Sequence, residues 1–266
     1  MAVASRIPVL MYHRIGTVEN AWEGKYAITP ERFAEHMHIL AGSGYYACTA
    51  SELVAWLQGE RTLREGAVAI TFDDGYAGVH EHGLPVLKAL GWPAAMFLIS
   101  DLLGGQDEWC RASNPAGRTY PLLTAGQISE MAQHGFSFYS HSRRHARLPE
   151  QSDIQLDDEL AGSKAELETL LGQDVPYIAY PYGLHDERVL DRTRSAGYQA
   201  AFSVQPGFNR PGMDLFRIRR LDVFGTDTAA MLLRKVRLGS NDGSRMNVLR
   251  YYLGQLLARI GLKVGT

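Results

Sequence analysis

Short apolar runs alternate with helix-period stretches almost from end to end of the chain, and this rhythm sharply limits the folds open to it. Candidate strands are Pro8–Tyr12, Tyr45–Cys48, Ala67–Phe72, Ala94–Ile99, Phe136–Tyr139, Tyr177–Tyr180, Gln199–Ser203 and Phe216–Val223. Between them, helical spacing predicts helices over Pro30–Ala41, Val79–Leu90, Ala125–His134, Ile154–Leu171 and Glu187–Ser195. In Ile154–Leu171, for example, Leu156, Leu160, Leu167 and Leu171 recur on one face and acids occupy the other. Gly44, Gly91, Gly135, Gly172 and Gly197 follow helices where a left-handed cap costs glycine least. Strand–helix alternation predicts a parallel sheet covered by helices. About eight such units in roughly 250 residues predict an α/β fold of the TIM-barrel type. An open doubly wound sheet shows the same alternation, because a linear pattern does not display closure.

No internal repeat, low-complexity tract or linker divides the chain. The expected organisation is one barrel over residues 1–243 followed by an amphipathic helix over 244–266. Gly104–Thr124 reads as one long surface loop and Pro206–Asp214 as a shorter one. A formal net charge of −2 gives no global reason to expect nucleic-acid binding. Two cysteines, Cys48 and Cys110, with no CxxC pair exclude a cysteine-rich zinc module and imply no disulfide. No run of 18 apolar residues is present to span a membrane, and the N-terminus lacks the plan of a secretory signal. The expected location is therefore the cytoplasm, with peripheral contact at the inner membrane face.

In a parallel barrel, chemistry collects at the C-terminal ends of strands. Three predicted strand ends carry unusual polar residues: Asp73-Asp74-Gly75, His141-Ser142-Arg143-Arg144-His145 and Pro181-Tyr182-Gly183. Adjacent carboxylates leaving an extended strand point apart, so one can bind a metal while the other faces water beside it. The same pair also suits a helix N-cap. His141 and His145, four residues apart, can face one ion from a helix or tight turn, and they equally suit a solvated basic loop. With Asp74 they make two imidazoles and one carboxylate, a set that leaves coordination positions free for water and substrate.

Thr71-Phe72-Asp73-Asp74-Gly75, His141-Ser142-x-x-His145 and Tyr180-Pro181-Tyr182-Gly183, in that order, resemble three motifs of the polysaccharide deacetylases. These are the NodB-homology enzymes of carbohydrate esterase family 4. Pro8–Arg14 and the late Arg217–Val223 run are similar to the branch of biofilm poly-N-acetylglucosamine deacetylases. The resemblance, over residues 8 to about 225, implies a distorted (β/α) barrel and a metal-dependent N-deacetylase. It implies Asp74, His141 and His145 as metal ligands, Asp73 as catalytic base, and the backbone N–H of Tyr182 as oxyanion donor. Zinc is the default ion for that ligand set, and cobalt, nickel and manganese also fit it.

The chain departs from the family in two places. Many members carry an arginine two residues before the Pro-Tyr pair, where this chain has Ala179, and Arg219 or Arg220 is available instead. No counterpart of the family's C-terminal histidine is evident; His13 is the first candidate for a proton donor or orienting group, though it equally suits a strand cap, and His185 is a weaker candidate placed at the rim. His36, His38, His80, His82 and His134 lie on helix patterns and are expected at the surface. Among the aromatics beside motifs or in loops (Tyr12, Trp22, Trp109, Tyr139, Tyr180, Tyr182), Tyr180 and Trp109 are counted as substrate-facing, together with Pro181 and Arg220.

The expected substrate is an N-acetylated amino-sugar polysaccharide or glycan intermediate. Two alternatives stay open: a deacylase or deformylase of a lipid-linked or nucleotide sugar, and a catalytically degenerate carbohydrate-binding domain. From Arg245 to Lys263, Val248, Leu249, Tyr252, Leu253, Leu256, Leu257 and Ile260 line one helical face beside four basic residues and no acid. That stretch suits either docking on the barrel or the interface of an anionic membrane.

Overall fold

The structure is a computed structural model that describes residues 2–246. Its strands are β1 (Val9–Tyr12), β2 (Arg14–Ile15), β3 (Ala27–Ile28), β4 (Tyr46–Cys48), β5 (Ala67–Phe72), β6 (Ala94–Leu98), β7 (Phe136–Ser140), β8 (Tyr177–Ala179), β9 (Ala200–Phe202) and β10 (Leu221–Asp222). The α-helices are α1 (Pro30–Gly42), α2 (Ala50–Leu57), α3 (Leu84–Leu90), α4 (Ala125–Ala132), α5 (Asp153–Asp157), α6 (Ser163–Leu171), α7 (Glu187–Ser195) and α8 (Ala229–Leu238). Eight strands form one sheet in the order β10-β1-β5-β6-β7-β8-β9, with β4 pairing the first half of β5. Every pair in it is parallel.

The sheet curls into a distorted (β/α) barrel whose seam lies at residues 218–222. Ile218 pairs with Phe202 of β9, and Leu221 pairs with Leu10 of β1. This corrects the expected continuous strand Phe216–Val223. The segment changes partners midway, so Leu215–Arg217 tightens into a 3₁₀ turn and only Leu221–Asp222 remains strand.

The two-residue period of the strands separates two cores. Val9, Ala67, Ala69, Ala95, Phe97, Tyr139, Tyr177, Ala179, Phe202 and Ile218 fill the barrel interior. Small residues make room there for large rings, and Phe97 packs on Phe202 with ring centres 5.0 Å apart. The intervening residues Leu10, Tyr12, Val68, Ile70, Phe72, Met96, Leu98, Phe138 and Ile178 face the helices. Continuing the inward register past the strand ends reaches His13, Asp73, His141 and Arg220. Barrel geometry therefore delivers these polar side chains to one mouth.

Helices α2 and α8 lie outside the stretches named from sequence; Thr49 with Glu52 forms a capping box before α2, and Thr228 caps α8. The predicted Val79–Leu90 and Ile154–Leu171 helices form, each interrupted by a π turn, at Val79–Gly83 and Asp158–Gly162. One surface expectation is overturned. His36 is fully buried, its Nδ1 3.2 Å from the Tyr12 hydroxyl and its Nε2 2.7 Å from the Asp227 carbonyl. Two polar partners make that burial tolerable, and desolvation lowers its pKa to about 4. Of the expected C-terminal helix, everything from residue 247 onward lies outside the described residues.

Candidate active site

Asp73 extends the inward register of β5, directly beyond Thr71, whose hydroxyl donates to the Leu10 carbonyl at 2.8 Å. Arg220 extends the register of Ile218 from the seam. The two meet in a bidentate ion pair, with Nη1–Oδ1 at 2.6 Å and Nη2–Oδ2 at 2.8 Å. Arg220 Nε donates to the Ser203 carbonyl at 2.9 Å, which fixes the fork. Burial pushes the Asp73 carboxyl up, but the Arg220 guanidinium and then His141 outweigh it, so the net shift is downward. Asp73 is therefore held as an oriented carboxylate. Arg220, expected to face substrate, is fully buried behind Asp73 and does not line the cleft described below.

Asp74 leaves the strand in the left-handed region, at φ 69°, which turns its carboxylate toward the same mouth. Gly75 follows at φ 80°, a conformation that favours glycine, and a Cβ there would also crowd Leu98 Cδ2 at 2.9 Å. His141 prolongs β7, with its N–H donating to the Leu98 carbonyl at 2.7 Å. Its Nδ1 lies 2.9 Å from the Ala179 carbonyl, a contact that requires an Nδ1 proton and aims Nε2 into the site. His145 is brought back by a non-helical turn in which Ser142 (φ 64°) and His145 (φ 61°) are both left-handed. The Ser142 hydroxyl accepts from His145 N at 3.1 Å, pinning that turn. Among the described residues the non-glycine positive-φ positions are Asp74, Ser142, His145 and Tyr182. All four lie at this mouth, where the surrounding packing sustains the strain.

One ligand atom from each of Asp74, His141 and His145 falls within 4.8 Å of the others. His141 Nε2 is 3.4 Å and His145 Nε2 3.3 Å from Asp74 Oδ1, which is buried without a hydrogen-bond partner. The Nδ1–H of His141 leaves its Nε2 an acceptor when the ring is neutral. Both Nε2 atoms thus converge on one buried carboxylate oxygen, an arrangement suited to holding a cation between them. Burial also lowers the His145 pKa to about 4, in opposition to Asp74, so this ring is neutral near neutrality and free to ligate a cation. The donor set fits a divalent ion.

These groups line a cleft of about 430 Å³ with His13, Tyr76, Tyr180, Asp222 and a rim of Trp22, Tyr26, Trp109 and Tyr182. The His145 ring lies between Trp109, at 5.0 Å, and Tyr182, at 4.5 Å. Buried Glu23 joins the two rim loops. It accepts from Arg14 and Asn114 at 3.0 Å and from the Tyr120 hydroxyl at 2.7 Å. Eight of the sequence-derived candidates thus converge: Asp73, Asp74, His141, His145, His13, Trp109, Tyr180 and Tyr182. Pro181 is buried beneath the turn and does not line the cleft, and His185 stacks on Tyr180 at 4.8 Å, outside it. Asp222 was missed by sequence reading. Its carboxyl, raised by burial, accepts from Asn241 and shares the cleft with His13. The signal was available, since Ile218, Arg220 and Asp222 share one strand face.

Fold and site together define a (β/α) barrel that gathers buried carboxylates and imidazoles at the C-terminal mouth of its sheet. Residues 60–201 match the sequence profile of the polysaccharide deacetylases. The chain belongs to this family, enzymes that act on N-acetyl amide bonds. It is 30% identical over 219 residues to the Bacillus subtilis polysaccharide deacetylase homologue YxkH, covering 82% of this chain and 72% of that one. A poly-β-1,6-N-acetyl-D-glucosamine N-deacetylase of Staphylococcus epidermidis is 25% identical, over 74% of this chain and 68% of its own. The solved structure of IcaB from Ammonifex degensii superposes with a TM-score of 0.71 at 27% identity, over 83% of this chain and 92% of that one.

Proposed function

We propose that the protein is a metal-dependent deacetylase removing N-acetyl groups from an N-acetylglucosamine polysaccharide. The observation that carries the reading is the convergence of one ligand atom each from buried Asp74, His141 and His145 beside an ion-paired Asp73. A divalent ion held there would lower the pKa of water and polarise the amide carbonyl. The Asp73 carboxylate, oriented by Arg220, takes the proton of the attacking water. The backbone N–H of Tyr182 is assigned to the developing oxyanion. His13, with Asp222 beside it in the cleft, is assigned to protonate the departing amine. The aromatic rim offers faces on which sugar rings stack, and relatives named for poly-β-1,6-N-acetyl-D-glucosamine support that substrate class.

The degenerate-binder alternative drew on the missing arginine at position 179 and the missing C-terminal histidine. Arg220 reaches Asp73 from the seam, which answers the first, and His13 beside Asp222 in the cleft offers a proton donor in place of the second. The test is acetate release from N-acetylglucosamine oligomers, with and without chelator, alongside metal content. Chelator-sensitive release with about one ion per chain supports the reading. Chelator-resistant release, or no release from a fully loaded protein, refutes it.

A further inference from the structure

Behind the histidine loop lies a carboxylate that the chemistry above does not use. Glu159 is 1% exposed. Its Oε2 accepts from the backbone N–H of Arg143 at 3.0 Å and of Arg144 at 2.9 Å, while Oε1 pairs with Arg144 Nε at 3.0 Å. These two amides belong to the residues between the ligand candidates His141 and His145. The loop they occupy contains the left-handed Ser142 and His145, a conformation that relaxes unless its backbone is held. Glu159 itself sits in the π turn Asp158–Gly162, which interrupts an otherwise regular helical run. Such turns are uncommon and recur at functional sites because they redirect a side chain that regular winding would place elsewhere.

We infer that Glu159 is a positioning residue that clamps the 141–145 loop in its ligating conformation and thereby sets the affinity of the Asp74–His141–His145 site for a divalent cation. The inference rests on the metal-site reading above. Partners that orient ligands without touching the ion commonly govern affinity 10- to 100-fold. Neighbouring contacts grip the same loop through other atoms. Arg143 also reaches Glu166 at 2.7 Å, but through its side chain, which leaves the backbone amides to Glu159.

The test uses the full chain, with cobalt(II) as probe. Affinity is read by chelator competition, ligand geometry by the visible absorption of the bound ion, and fold by melting of the metal-free protein. Glu159→Met, which removes both acceptors, should weaken binding by about 10- to 100-fold and alter the spectrum. Glu159→Gln keeps an oxygen for the two amides and should recover most of the affinity. Glu166→Gln should bind within about threefold of the parent, a change below 1 kcal/mol. If Glu159→Met does not fold, Glu159→Asp, which draws the carboxylate back by one methylene, should show the same loss. Parental affinity and spectrum in Glu159→Met or Glu159→Asp would overturn the inference, as would equal losses in Glu159→Gln and Glu159→Met. Failure of the parent chain to bind the probe would instead overturn the metal-site reading.

Discussion

Replacing Arg220 by methionine strips the Asp73 carboxylate of its counterion while keeping an unbranched side chain in the slot. Both partners are almost fully excluded from solvent, with side-chain exposures of 0% and 3%. Breaking a buried pair by removing one member typically costs about 3–5 kcal/mol, because the remaining charge is left uncompensated. Two short charge-assisted bonds to Asp73 and the bond to Ser203 O are lost together, which agrees with that range. For a domain of this size, about 2–4 °C per kcal/mol gives a fall in Tm of roughly 6–20 °C. The effect also has a pH signature. The native pair holds the Asp73 carboxyl below its unfolded pKa, so its stabilisation is present above that value and fades as pH falls toward the native one. Without the guanidinium, burial pushes the carboxyl up, opposed only by the histidines. Protonation then relieves the variant in mild acid, and the stability gap is widest near neutrality and narrows on acidification. Urea unfolding in chelator at neutral and mildly acidic pH measures both quantities. Asp73→Asn combined with Arg220→Met should cost less than Arg220→Met alone, since no orphan charge remains. A loss under about 1 kcal/mol at neutrality, or a gap that does not narrow in acid, would refute the reasoning.

Asp73→Asn should retain metal and lose about 10²–10⁴-fold in turnover, because the base is removed and the ligand set is left intact; metal analysis beside acetate release checks both halves. His141→Ala and His145→Ala should each lose metal and activity together, and a fully metallated variant would move the site elsewhere. Glu23→Gln loosens the clamp between the Trp22–Tyr26 and Trp109 loops, and should raise KM for oligomers by about tenfold, about 1.4 kcal/mol, with kcat little changed; an unchanged KM would show that those loops do not bind glycan. For the sequence from Arg245 onward, we propose interfacial membrane binding: the full chain should pellet with anionic vesicles at low salt and a chain ending at Gly243 should not, whereas equal behaviour would exclude it.

Much of the architecture was legible because its causes are local. A short apolar run marked β5 and a helix-period stretch marked α7 to the residue, and Gly91 and Gly172 closed α3 and α6 as left-handed caps. The polar ends of β5, β7 and β8 announced the site, since carboxylates and imidazoles carried into a buried sheet cost free energy unless something pairs with them. What the sequence could not display was set by partners far along the chain. Arg220 lies 147 residues from Asp73, and only closure of the seam brings the two together. Asp222 looked like the end of a strand until that closure turned it into the cleft with His13. His36 matched a surface helix position and became core because α1 packs against α8, where Asp227 and Tyr12 supply its partners. Glu159 read as one more acid on the outer face of a helix until a π turn rotated it inward beneath the histidine loop. Hydrophobic period and turn chemistry act between near neighbours and are written into the sequence. Pairing of buried polar groups depends on which strands and loops become adjacent, and only the tertiary structure decides that.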